Sequence, residues 1–584
     1  MIKTDWNLKG LYKNPKDTKL EKDIQKVEVV TKKFRRAFLS KRGDFSKPQV
    51  LKKVLEAYEK IIFSPEVIQP MYYLWLYSCI DSANNLVEQK LGQFDERLTK
   101  SFENIRFFLL TVGAISQTKQ KQLLKNKSLE EYHYVLQKIF DQNKHRLSEA
   151  EERIVSLKKQ TSSTLWVQGV QKFLSKQVVS FKGNDIPLAE ALSLIRTLPK
   201  KQRRDLFYRT YAVLGAGADF AESELNAVVL NRKTSDELRG YEKPYSATAL
   251  AYQNTEKEIE AVTTAVTEDF VTSKKFFALK KKMLGLEDME YADKDVSIGK
   301  IKKEFSFSET KDIIKEAFRK FDPRFEDIFD SFLARGQISV FPQKGKRGGA
   351  FCASDVGVPT FVLLNHTNDL YSLRTCAHEM GHAIHSELSK TQNSRYQSYS
   401  IASAEVASTF FEKVVMDLVE NQLTKKEKII LLHDTLNDQV STIHRQVAAF
   451  NFERELHETV RVEGFQSKKD IGKMLRKHMK TYLGTAIQVP EAVDNLFVQW
   501  RHFRRYFYVY TYAYGCLISN TLYAMYKEDE SVKEGIIDFL SAGGSMPPRE
   551  IFKKLGIDTE KKETYVKGLQ AIEDNITSLQ KLLS

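Results

Sequence analysis

The chain has 584 residues, 42% apolar and 29% charged, with a formal net charge of +15. That balance excludes a disordered or fibrous protein and allows a sizeable core, in two or three domains or one large helical body. Its four cysteines (Cys79, Cys352, Cys376, Cys516) are far apart and form no CxxC pair, which excludes a disulfide scaffold and suits a reducing compartment.

The N-terminus carries Lys3, Asp5 and Lys9 with no apolar run, so no secretory signal is expected. The most apolar stretch nearby, "MYYLWLYSCI" (71–80), is about half the length that spans a bilayer. A cytoplasmic location without a membrane partner is therefore expected. The basic runs "KKFRR" (32–36), "PKKQRR" (199–204) and "KKKM" (280–283) are scattered among acidic neighbours within helical patterns. No zinc-finger, RNA-recognition or basic-zipper signature accompanies them, so they read as solvated helix faces and no nucleic-acid partner is expected.

From the N-terminus, apolar residues recur at helical spacing, as in "LKKVLEAYEKIIF" (51–63) and "SLEEYHYVLQKIF" (128–140). The spacing predicts antiparallel helices to about residue 195, forming an N-terminal helical domain (1–195). A second, catalytic domain (196–584) is expected to follow, entered through "LAEALSLIRTLPKKQRRDLFYRTY" (188–211). The helical pattern breaks at 336–367, which is rich in Gly, Val, Phe and Thr. There "GKRGGAF" (345–351) reads as a glycine-rich turn or strand edge and "PTFVLLNHT" (359–367) as a strand, so a small sheet precedes a return to helix.

That helix carries "CAHEMGHAIH" (376–385). His378 and His382, four residues apart, project from one face and can reach a single zinc ion, while Glu379 lies beside the metal, able to take a proton from zinc-bound water. Gly381, a poor helix former, implies that something packs closely there. The pattern also fits a polar face on an amphipathic helix, so it needs a third ligand. "SIASAEVASTFFEKVV" (400–415) reads as a second helix, with small residues around Glu405 that would let it approach the first. Glu412, two turns on, is placed to accept from a ligand imidazole. His385 reads as structural or supporting. Amide hydrolysis also needs donors to an oxyanion, and "WRHFRRYFYVYTYAYG" (500–515) offers His502, Tyr508, Tyr510 and Tyr512, with Phe503, Phe507 and Val509 as core.

Taken together, "GKRGGAF", "PTFVLLNHT", "HEMGHAIHS", "SAEVAST..E", "RHF...FYVYTYA.G" and "FLSAGGSMPP" (539–548) resemble, in order, the oligoendopeptidase F group of thimet-oligopeptidase-like zinc metallopeptidases. "NLKGLY" (7–12) and "LRGYEKPYSATALAYQN" (238–254) resemble its N-terminal and central segments, so the likeness spans nearly the whole chain. The resemblance implies a mainly α fold, a two-lobed helical clamshell with a deep central channel and a small β-sheet next to the zinc-binding helix. It implies one Zn2+ per chain held by His378, His382 and Glu405, with Glu379 as general base and His502 opening the aromatic segment. "RRY" (504–506) departs from the family pattern; Tyr508 is favoured as the oxyanion donor, then Tyr512, with Tyr510 close behind.

The expected activity is zinc-dependent endopeptidase hydrolysis of short, unstructured oligopeptides, with the substrate extended along the edge of the 359–367 strand. A carboxypeptidase or dipeptidase on the same scaffold is the alternative. The sequence sets neither the side-chain preference nor the oligomeric state.

Overall fold

The computed structural model describes residues 2–584 and is built mainly from helices, with one two-stranded and one three-stranded sheet among the described residues. The chain separates into two compact units, each drawn from three chain segments. One comprises 1–145, 303–421 and 531–555, the other 146–302, 422–530 and 556–584. This partition does not coincide with a sequential division at residue 195, because residues distant in sequence pack together and the chain passes repeatedly from one unit to the other.

In the first unit, helix Thr18–Phe38 begins where the Asp17 carboxylate accepts the Lys19 N–H at 2.9 Å. It buries Leu20, Ile24, Val27, Thr31 and Phe34, one stripe at three- and four-residue steps. Each fully buried aliphatic or aromatic side chain of that stripe stabilises by about 1.5–3 kcal/mol as an upper estimate. Its N-terminal half packs with Tyr72, Tyr73, Leu74, Val358 and Phe361. Its C-terminal half joins an aromatic cluster of Phe34, Phe45, Phe107 and Phe108. The periodic stretch at 51–63 lies in helix Pro48–Ile62, with Leu51, Val54, Leu55 and Ile61 buried. At 128–140 the first turn is instead a 3-10 helix, Lys127–Tyr132, before helix His133–Asn143.

The same unit holds the three-stranded sheet: β3 (Ile338–Ser339), β4 (Phe351–Ala353) and β5 (Phe361–Leu363), in the order β3-β5-β4. β5 is parallel to β3 and antiparallel to β4. The strand expected at 359–367 is therefore present but central, with both edges occupied, which corrects the expectation that a peptide adds to it. Val362 and Leu364 donate their N–H groups to the carbonyls of Gln337, just before β3, and Ser339 within it. Phe361 and Leu363 consequently face β4, and the backbone N–H and C=O of Cys352, paired across from Val362, turn to the outer edge of β4. Among the described residues, β4 pairs with β5 alone.

The second unit contains a hairpin for which the helical reading of 1–195 has no place: β1 (Val178–Phe181) antiparallel to β2 (Asn184–Pro187). Lys182 (φ 52°) and Gly183 (φ 81°) form its two-residue turn with both residues left-handed, the geometry that suits a twisted hairpin. The signal was the alternation of Val179 and Phe181, both buried, followed by a Lys-Gly turn. Elsewhere helices dominate. Helix Lys562–Leu583 crosses helix Tyr510–Glu528 at Gly568, where a Cβ would sit 2.5 Å from the Leu517 carbonyl oxygen.

Candidate metal centre and aromatic segment

Helix Leu370–Ser389 is capped by Asp369, whose carboxylate accepts the Ser372 N–H at 2.7 Å. It lies beside helix Ile401–Glu420, capped by Ser400. The crossing falls at Gly381: a Cβ there would stand 2.7 Å from Ser408 Cα and 3.1 Å from the Ala407 carbonyl oxygen. Gly381 and the small residues 407 and 408 thus let the two backbones touch. This contact sets Glu405 and Glu412 against the histidines.

His378, His382 and Glu405 each offer a ligand atom, and these atoms lie within 4.8 Å of one another. The imidazole rings of His378 and His382 are 5.0 Å apart and nearly perpendicular. His378 Nδ1 lies 3.3 Å from Glu412 Oε2, and its Nε2 faces Glu405 Oε2 at 3.7 Å. Glu412 is in turn ion-paired with Arg374, one helical turn before His378. Burial alone would raise the Glu412 carboxyl, but Arg374 and the bond with His378 bring it down to about 2, so it is ionised. An ionised acceptor holds the proton on Nδ1 and turns the Nε2 lone pair toward Glu405. In the neutral ring two electron-pair donors then face each other, an arrangement that a cation, or a proton on Nε2, satisfies.

Burial lowers the His378 imidazole, but the Glu412 hydrogen bond and the charges of Glu412, Glu379 and Glu405 reverse this and raise it overall. A proton and a metal would therefore compete for the same nitrogen. His382 is pushed far down by burial and then by His378 and His385, leaving it a neutral donor. Glu379 is 7% exposed and its carboxyl is raised to about 7, by burial first, with Glu405 adding and His378 opposing. The Cys352 N–H on the outer edge of β4 faces this carboxylate and opposes the rise. His385 is not in the cluster. Its ring stacks on Tyr399 at 3.6 Å, and Tyr399 shares a 2.9 Å hydrogen bond with Ser386. Arg374 and Tyr399 were missed from sequence, although the four-residue spacing from Arg374 to His378 was a usable signal.

His502, Tyr508 and Tyr512 belong to the second unit and cluster among themselves. The Trp500 indole N–H donates to His502 Nδ1 at 3.2 Å, which leaves the proton of the neutral ring on Nε2. Burial, then Arg505 and Arg445, hold His502 below its ordinary value. Its Nε2 meets the Tyr512 hydroxyl at 3.2 Å, so Tyr512 accepts in that bond. Tyr508 stacks 5.9 Å from His502, and its hydroxyl makes no hydrogen bond among the described residues. Tyr510 is different: it is fully buried and its hydroxyl donates to Asn254 Oδ1 at 2.8 Å. Tyr514 likewise donates to Glu258 at 3.0 Å. These two tyrosines are core, and the third-ranked oxyanion candidate drops out.

The family model described as "Peptidase family M3" matches residues 201–571, and "Oligopeptidase F" matches residues 112–168. The chain is 22% identical to the oligopeptidase PepF of Bacillus subtilis strain 168, over 99% of this chain and 87% of that protein. It is 24% identical to an oligoendopeptidase F homolog of Borreliella burgdorferi, over 99% and 98% of the two chains. Among solved structures, a Chlamydophila abortus peptidase superimposes with a TM-score of 0.87 at 21% identity, covering 99% of this chain and 98% of that one. The oligoendopeptidase-F of Enterococcus faecium gives 0.71 at 18% identity, covering 97% of each chain. The helical fold is shared. No helix among the described residues is long and apolar enough to cross a membrane.

Proposed function

The chain belongs to peptidase family M3, and from that membership we propose that it is a zinc-dependent endopeptidase cutting internal bonds of short, unstructured oligopeptides. The observation that carries the reading is the convergence of His378, His382 and Glu405, with Glu379 beside them. These three residues would hold the ion. When bound, zinc supplies a Lewis acid that polarises the scissile carbonyl and lowers the pKa of water. Glu379 accepts the proton of the attacking water and passes it to the leaving amine, a role suited to a buried carboxylate raised toward neutrality. Glu412 and Arg374 hold the His378 ring and its tautomer. The substrate lies extended along the outer edge of β4, which no other strand occupies among the described residues.

The His502 Nε2–H, exchanging its Tyr512 partner for the substrate, and a tyrosine hydroxyl donate to the oxyanion. This assignment is supported by the family likeness of their segment and by the uncommitted hydroxyl of Tyr508. The catalytic portion is taken as 196–584, supported by the family match over 201–571. A cytoplasmic location is supported by four cysteines that are all unpaired. The test is metal analysis of the purified protein, with cleavage of a peptide blocked at both ends measured before and after chelation. Internal cleavage that is lost with the metal and restored by zinc is expected. Cleavage only of peptides with free ends would replace the reading with a carboxypeptidase or dipeptidase.

A further inference from the structure

His502 and Tyr508 are separated by a backbone feature that ordinary side chains avoid. Tyr506 (φ 48°) and Phe507 (φ 62°) are consecutive non-glycine residues in the left-handed region. Such a conformation persists only where its surroundings impose it. On one side of the turn, the 3-10 helix Arg501–Arg504 is anchored by Arg504, which is ion-paired with buried Glu224 and donates to the Phe497 and Trp500 carbonyls at 2.7 and 3.0 Å. On the other side, helix Tyr510–Glu528 is anchored through the core hydroxyls of Tyr510 and Tyr514. The turn at 506–507 therefore sets how His502 stands relative to Tyr508 and Tyr512.

Two side chains grip this turn. Glu453, on helix His444–Glu463, is 1% exposed, and its Oε1 accepts the Phe507 N–H at 2.8 Å. Its Oε2 has no hydrogen-bond partner, an unusual state for a buried carboxyl atom. The Thr248 hydroxyl donates to the Tyr506 carbonyl oxygen at 2.8 Å. The Arg232 guanidinium lies 4.9 Å from the Tyr506 ring centre, and the Phe507 ring is fully buried. Among the described residues, the only acceptor reaching the Phe507 N–H is thus a carboxyl buried at a cost, with its second oxygen unused.

We infer that Glu453 and Thr248 are positioning residues, which clamp the strained 506–507 turn and thereby hold His502 and Tyr508 in register for the reaction. The inference rests on the reading of His502 and Tyr508 as oxyanion donors. Burial pushes the Glu453 carboxyl up to about 8, with the Phe507 N–H, Arg232 and Arg504 opposing. This shift favours the protonated acid, whose carbonyl oxygen accepts as an amide would. Gln should replace it, and Leu, of similar size without an acceptor, should not.

The test compares Glu453→Gln, Glu453→Leu and Thr248→Val with His502→Ala and Tyr508→Phe, all in the full zinc-loaded chain at matched melting temperature. Because the clamp acts on transition-state donors, Glu453→Leu should lower kcat by about 10–100-fold, short of the ~10²–10³-fold for deleting a donor outright. KM should stay within about twofold, since ground-state binding is untouched. Glu453→Gln should keep kcat within about threefold of wild type, and Thr248→Val should lower it by less than Glu453→Leu. A residue needed only for packing would not give this rescue or this split. Wild-type kcat in both Glu453→Leu and Thr248→Val, or equal losses for Gln and Leu, overturns the clamp. If Glu453→Leu does not fold, Thr248→Val decides, and its wild-type kcat is fatal to the inference. Wild-type kcat in His502→Ala and Tyr508→Phe would instead sink the underlying reading of those two residues.

Discussion

Replacing Gly381 by Ala separates helix propensity from site geometry, because the two push in opposite directions. Ala is favoured over Gly in a helix interior by about 1 kcal/mol, so local propensity alone predicts a more stable protein. The added Cβ, however, would stand 2.7 Å from Ser408 Cα, 3.1 Å from the Ala407 carbonyl oxygen and 3.3 Å from Phe411 Cβ, where ordinary contact begins at 3.4 Å. Two of these neighbours are backbone, which no rotamer change can move. The helices must therefore part by about 0.7 Å at the crossing. Overpacking of this kind typically costs about 1–3 kcal/mol, enough to cancel or exceed the propensity gain. Glu405 and Glu412 ride on the displaced helix while His378 and His382 stay on the other, and metal–ligand distances tolerate only about 0.2 Å. Zinc affinity should fall by about 10–100-fold, as when supporting contacts of a site are lost. Competition with a chromophoric chelator measures the affinity, and thermal unfolding of the metal-free protein measures the packing. Unchanged zinc affinity together with a raised melting temperature would refute the close crossing as the reason for Gly381.

Glu379→Gln should retain zinc yet lose at least about 10²–10⁴-fold in turnover, because the amide cannot take a proton; near wild-type cleavage of a fluorogenic peptide would remove Glu379 as the base. Glu405→Ala should abolish stoichiometric zinc, whereas Glu412→Ala and Arg374→Ala should weaken it by about 10–100-fold; full occupancy in Glu405→Ala by metal analysis would point to a different ligand. Tyr508→Phe should lower kcat by about 10²–10³-fold with little change in KM, while Tyr510→Phe should leave kcat alone and lower the melting temperature, since its hydroxyl serves Asn254. The last expectation concerns pH. Lys280 is buried and donates to the Lys294 carbonyl and Asn437 Oδ1 at 2.6 Å each. Burial lowers its pKa to about 7, with Asp295 and Asp434 opposing and Lys294 and Arg203 reinforcing. The unfolded chain keeps this proton up to about pH 10.4, so between about 7 and 10 the unfolded state binds more protons and Lys280's contribution to stability rises with pH. Relative to Lys280→Met, wild type should gain up to roughly 4 kcal/mol across that window in denaturant unfolding; a flat difference would contradict it.

What could be read from sequence was set by chain-local geometry. The four-residue spacing of His378 and His382 puts them on one face of any α-helix, and Gly381 with the small residues around Glu405 marks two helices in contact, so the convergence of His378, His382 and Glu405 was legible before any fold was known. Core stripes such as Leu20, Ile24, Val27 and Phe34 follow from the same helical period. The hairpin at 178–187 was not read, although its alternation and its Lys-Gly turn carried a local signal. Other features were decided only by packing between distant segments. Whether the 361–363 strand is central or an edge depends on which strands flank it, and nothing within its own residues records that β3 and β4 occupy both sides. The five tyrosines at alternate positions from 506 to 514 look alike in sequence. They are sorted by a left-handed turn at 506–507 and a helix that starts only at Tyr510, and by Asn254 and Glu258, more than 250 residues earlier, which engage two of the hydroxyls. The interleaving of the two units has the same origin. A helix or a turn is chosen by neighbours a few residues away, whereas partners across the chain are chosen by shape and burial, which have no local signature.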